Sequence, residues 1–119
     1  MINEKNIELK DVYGDDAKFA NRHGWSDINP VEIVKVISDK TLEVREMDAE
    51  RDPSWKMEVI EGGFFGHVVN DKDQKWFIKA NPDNDVFRIR KSKSGVWKNK
   101  WGARFVLSSK ARKFYDNNF

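Results

Sequence analysis

The sequence predicts a mainly β protein, a small single-domain antiparallel barrel or sandwich. Apolar residues alternate with polar ones over several short segments, as in Phe87-Arg88-Ile89-Arg90, the pattern of a strand with one buried face. Turn formers recur through the second half at intervals of roughly ten residues, the spacing that small barrels and sandwiches show. Eight Phe, five Trp and two Tyr in 119 residues supply one packed core, and the length is too short for two. The chain therefore reads as a single domain over 1–119, with 1–14 as a loosely attached N-terminal arm.

In chain order, the first punctuation falls at Gly14-Asp15-Asp16 and Asn29-Pro30. Val31 to Ser38 is rich in β-branched residues, with Val34 and Val36 on one side and Ile33 and Ile37 on the other, so the strand is covered on both faces or carries a bulge. Ser38-Asp39-Lys40 then turns the chain into a partner strand over Thr41 to Met47. Trp55, Met57 and Val59 alternate with Lys56 and Glu58; Trp76, Ile78 and Ala80 alternate with Lys75 and Lys79; Phe87 and Ile89 alternate with Arg88 and Arg90. Each of the three reads as a strand. Residues 63–74 read as one long irregular stretch whose Phe64 and Phe65 dock as a lid or plug. Asn81-Pro82-Asp83-Asn84-Asp85, Ser94-Gly95 and Gly102 mark later turns, and Ser108 or Ser109 caps a short helical turn over Lys110 to Tyr115. The closest architecture is the SH3-like, small-barrel type.

Composition narrows the function classes. The absence of cysteine excludes a disulfide scaffold and every thiolate metal site. Met1-Ile2-Asn3-Glu4-Lys5 opens no signal sequence, and no run of about 18 apolar residues occurs, so the expected setting is the cytoplasm, away from membranes. The net charge of +2 conceals an asymmetry: residues 1–60 hold 9 Lys/Arg against 14 Asp/Glu, giving −5, and residues 61–119 hold 13 against 6, giving +7. Either the halves segregate into anionic and cationic surfaces or interleaved strands pair the charges.

Catalytic signatures are lacking. His23 and His67 lie in no nucleophile or metal-ligand motif. Counted from Asp71 or from Asn81, the acidic loops place neither the glycine nor the glutamate that a calcium hand needs. Gly62-Gly63-Phe64-Phe65-Gly66 is not followed by the Lys-Ser/Thr pair of a phosphate loop. The expectation is a non-enzymatic protein with no cofactor and no metal.

The segment from Val86 to Tyr115 carries the functional signal, because cations and flat rings interleave through it. Arg88 and Arg90 share a strand face about 7 Å apart, a spacing that suits two phosphates or a phosphate and a carboxylate, while Trp97 and Trp101 fall together on one side of an extended segment with Lys98 and Lys100 on the other. The candidate ligand-binding residues are Arg88, Arg90 and Arg112 on phosphate, Trp97 and Trp101 stacking on a base, and Phe64, Phe65 and His67 closing the site.

Trp25-Ser26-Asp27, the hairpin from Val31 to Met47, Asp73-Gln74-Lys75-Trp76, Phe87-Arg88-Ile89-Arg90-Lys91, Gly95-Val96-Trp97, Leu107, Arg112 and Tyr115-Asp116-x-x-Phe119 together resemble small accessory proteins of phages and mobile elements of Gram-positive bacteria. Asp48 to Val69 departs from that pattern. The resemblance implies a compact β-rich accessory protein without established catalytic residues, acting in a bacterial host cell against its defences. Joined with the basic aromatic segment, it makes sequestration of a nucleotide-like phosphorylated signal the leading expectation. The alternatives are an RNA- or DNA-binding small barrel, or an inhibitor that blocks a host defence protein through the acidic Asp48, Glu50 and Asp52; a homodimer with a shared site is compatible with each.

Overall fold

The computed structural model describes residues 17–62 and 65–118. The expected N-terminal arm and Phe64 lie outside the described residues, and Phe65 enters only through its backbone. Eleven strands are present among the described residues: β1 (Phe19–His23), β2 (Ile28–Asn29), β3 (Val31–Ser38), β4 (Thr41–Glu46), β5 (Asp48–Arg51), β6 (Val59–Gly62), β7 (Phe65–Val68), β8 (Trp76–Lys79), β9 (Val86–Lys91), β10 (Trp97–Lys98) and β11 (Arg104–Ser108).

Six of them close a barrel. The sheet runs β11-β10-β9-β4-β3-β1, and β1 returns to pair antiparallel with β11, with Phe19 opposite Ser108 and His23 opposite Arg104. β2 adds to the side of β1. Closure leaves no free edge on the ring, and its interior is filled by the inward positions of alternating strands. Ala20, Val31, Leu42, Val44, Ile89, Trp97 and Phe105 form this core, with Ile33, Val36, Phe87 and Leu107 packed against it. Phe87 and Phe105 meet with ring centroids 5.9 Å apart at 52°, within the range favoured by tilted aromatic pairs.

The β3–β4 hairpin forms where turn chemistry placed it, with Asp39 and Lys40 at the tip. Of the two readings of β3, the bulge is the one present: the register shifts between Ile33 and Lys35, so Ile33 and Val36 point to the core while Val34 is exposed. One extra residue in a strand reverses the facing of everything after it, which is why Val34 and Val36 do not share a side.

Beyond Met47 the β4–β9 ribbon continues outward as the β5–β8 pair, in which Asp48 faces Lys79 and Arg51 faces Trp76. The turn at Asn81 to Asp85 stands between β8 and β9. Asn81 reaches Asp48, and Asn84 donates to the Glu46 carbonyl at 2.9 Å, covering the break. Inside this arm, β6 and β7 form a second hairpin, with Ile60 opposite His67. The stretch expected to be irregular over 63–74 therefore contains a strand, β7, and a 3-10 turn at Asp71–Asp73. Trp55, Met57 and Val59 do not form one strand. Asp52 folds the chain, its carboxylate accepting from Ser54 N–H and its carbonyl from Trp55 N–H, so Trp55 is buried while Met57 and Val59 are exposed.

No helix occurs over Lys110 to Tyr115. Ser108 does cap Lys110 N–H, but the chain then runs extended across the outside of β1 and bridges Phe114 to Ile28. Three side-chain amides fasten it. Asn21 donates to Lys110 O and accepts from Arg112 N; Gln74 donates to Tyr115 O and accepts from Tyr115 N; Asn118 brackets Val68 in the same way. Each carboxamide supplies the donor and acceptor pair of a backbone strand. The tail thereby ties barrel to arm.

Candidate functional site

β9 is flanked by β4 and β10, so its alternation is strictly enforced: Ile89 is buried and Arg88 and Arg90 are exposed on the outer face. These two guanidinium groups line a groove of about 760 Å³ with Val86, Lys98, Asn99 and Trp101, a size suited to a small molecule. Arg88 donates to Glu43 at 3.3 Å across the strand pair, whereas Arg90 makes no ion pair with any described residue. Among the described residues, Glu43 is the sole carboxylate lining the groove.

Trp97 and Trp101 do not sit together. Between them Asn99 makes a turn, its side-chain oxygen accepting from Trp101 N and Ala103 N and its carbonyl from Gly102 N. Gly102 completes the turn at φ 85, a conformation that glycine adopts without strain. Trp97 consequently faces inward at 4% exposure and is core, while Trp101 stands out at 76%. Lys100 Nζ lies 4.4 Å from the Trp101 ring centroid, so a cation sits against an indole that is otherwise largely exposed.

The remaining candidates are elsewhere. His67 belongs to the β6–β7 hairpin and opens on a separate cavity with Asp71, Lys72, Asp73 and Phe114. A closing role for Phe64 and Phe65 concerns side chains outside the described ones. Arg112 lies on the tail, near His23 and away from the groove. The structure brings together Arg88, Arg90 and Trp101, and adds Lys98 and Lys100, which sequence reasoning had placed opposite the stacking face.

Register adds a feature that periodicity did not suggest. Arg90 is opposite Lys98, Lys98 is opposite Arg104, and Arg104 is opposite His23. Three cations thus stand side by side on β9, β10 and β11, and all are exposed. A signal for this was present, since no Asp or Glu occurs between Val86 and Tyr115; interleaved acids are what usually neutralise such a face. The charge asymmetry of the halves is thus partly expressed on the surface, although Glu43 of the first half pairs with Arg88 of the second.

No protein-family model, curated protein or solved structure matches the chain. The site's chemistry follows from its own residues. Forked guanidinium donors and an ammonium beside an exposed indole suit an anion joined to a flat ring. Both histidines lie outside the groove, and Glu43 on its wall pairs with Arg88.

His23 marks the far end of the cationic row. Burial lowers its pKa below the ordinary value, and the charge of Arg112 lowers it further. The unfolded chain takes up this proton near pH 6.5 while the folded chain resists it. Stability should therefore fall as pH drops from about 6.5 towards the lowered folded value, then become flat for this group. Urea unfolding across that window checks it: His23→Gln should remove this part of the slope, and an unchanged slope would refute the assignment.

Proposed function

We propose that this chain is a non-enzymatic binding protein that captures a nucleotide-like phosphorylated ligand in the groove, its phosphate on Arg88, Arg90 and Lys98 and its base on Trp101. One observation carries the reading: an exposed indole borders a groove whose charged lining, among the described residues, is cationic apart from Glu43, which pairs with Arg88. Stacking contributes about 1–3 kcal/mol per base, and charge-assisted phosphate contacts are roughly twice as strong as neutral hydrogen bonds. With the resemblance to phage accessory proteins, the biological role we propose is sequestration of such a ligand within a bacterial cell, in opposition to host defence.

Titration with AMP, ADP and the 5′-phosphorylated dinucleotide pApA, followed by tryptophan fluorescence, tests the proposal. Binding should quench Trp101. Arg88→Ala combined with Arg90→Ala should weaken it at least about tenfold while moving the melting temperature by only a few degrees, since exposed cations contribute little to stability. Absence of binding by all three nucleotides, or undiminished binding by the double variant, would overturn it.

A further inference from the structure

Two turns meet at one rim of the barrel. The Asn99–Gly102 turn leads into β11 at Arg104, and the turn after β1 is closed by Gly24 N–H donating to Asp27 O at 2.9 Å. Because β1 and β11 run antiparallel with His23 opposite Arg104, the end of one strand abuts the start of the other, and both turns project from the same side. Each displays an indole: Trp101 at 76% exposure and Trp25 at 91%. These are the two most exposed large hydrophobic residues among those described. Between them lie Arg104 and His23, with Arg112 close to His23, and the cationic row continues past Trp101 through Lys98 to Arg90.

We propose that the occupant is a single strand of nucleic acid wrapped around this rim, its phosphates on Arg90 and Lys98 leading to a base stacked on Trp101, and a further phosphate on Arg104 leading to a later base stacked on Trp25. This rests on the nucleotide-binding reading of the groove and extends it from a monomer to a polymer. Adjacent strands are about 4.8 Å apart, so the path from β9 to β1 spans roughly 15 Å of sheet width. A single phosphate reaches only part of such a row, whereas a chain of phosphates can follow it. The second indole also lies outside the groove, where a mononucleotide held on Arg88 and Arg90 gains nothing from it. Two isolated ring platforms separated by cations are the arrangement that single-strand binders use, because every base offers a flat face and the backbone supplies regular charge. A duplex is disfavoured, since its bases are already stacked on each other.

Fluorescence anisotropy with 5′-labelled oligo-dT of two, four, eight and twelve nucleotides decides the matter, with AMP as the monomer control. Affinity should rise with length until both indoles are engaged and then level off. Trp25→Ala should weaken the octamer about tenfold and leave AMP binding unchanged; an indole so exposed can be removed without unfolding the chain. The octamer should also lose affinity with salt at a log-log slope of about −2 for three phosphate contacts. An octamer that binds no tighter than AMP, a Trp25→Ala variant with unaltered octamer affinity, or tighter binding of an eight-base-pair duplex would each overturn the polymer while leaving capture by the groove intact. If neither AMP, ADP, pApA nor any oligonucleotide binds, both readings fall.

Discussion

Trp97→Ala is expected to destabilise the fold by about 3–5 kcal/mol, the usual consequence of removing a large aromatic side chain from a core. Trp97 is one of the two residues of the shortest barrel strand, β10, where it lies opposite Lys91 on one neighbour and Phe105 on the other. Its indole is 4% exposed and packs with Leu42, Ile89 and Phe105. A strand so short contributes few ladder hydrogen bonds, so the indole is its main attachment to the interior. Small domains are stable by only about 5–15 kcal/mol, and the variant should be extensively unfolded at moderate urea. Trp101→Ala and Trp25→Ala serve as controls and should stay within about 0.5 kcal/mol of the parent. Equilibrium urea unfolding separates the three; a Trp97→Ala midpoint equal to that of Trp101→Ala would mean that the core is centred elsewhere.

Asn21→Ala is expected to cost about 1–3 kcal/mol and to release the tail from the barrel. Asn21 is 1% exposed on the outer face of β1, covered by the tail, and its amide satisfies both the carbonyl of Lys110 and the N–H of Arg112. Alanine leaves both backbone groups short of a partner and removes the donor–acceptor pair that holds the chain in register. The next anchor, the Ile28–Phe114 bridge, would then carry the load alone at this end. Hydrogen exchange at the Arg112 amide is the direct measurement. It should accelerate far more in Asn21→Ala than the amide of Leu42 does, whereas equal acceleration at both sites would show that the effect is global and that Asn21 is no local clamp.

Local signals in the sequence were reliable where a strand has neighbours on both sides and one face on the core. Phe87 to Arg90 satisfies this condition, and its facing followed from alternation alone; so did the β3–β4 turn and the turn at Asn81 to Asp85. Alternation misled where a polar side chain folds the backbone between two rings. Asn99 separates Trp97 from Trp101 and Asp52 removes Trp55 from the line of Val59, although Gly102 had marked a turn beside the first of these breaks. The β3 bulge was legible as one of two readings, because apolar residues fall on both sides of Val31 to Ser38, but its position between Ile33 and Lys35 came only from the register. The tail was illegible for a different reason: Asn21 meets partners 89 and 91 positions away, and nothing near Lys110 announces them. Of the candidate site, only the shared outer face of Arg88 and Arg90 followed from spacing; the pairing of Trp101 with Trp97 did not, and the place of Trp101 beside the two arginines depended on the turn at Asn99. Lys98, Arg104, His23 and Trp25 required the register between strands.

The seam that completes the barrel lies between β1 and β11, with Phe19 opposite Ser108. During translation, the first partner emerges from the ribosome long before the second exists, and the nascent chain can form only an open sheet with bare borders. Contacts so remote along the chain slow folding, and uncovered strand borders invite pairing with other chains. Closure is therefore a late event in the life of the molecule, and a chaperone that shields those borders during synthesis would act on the step at which this topology is most vulnerable.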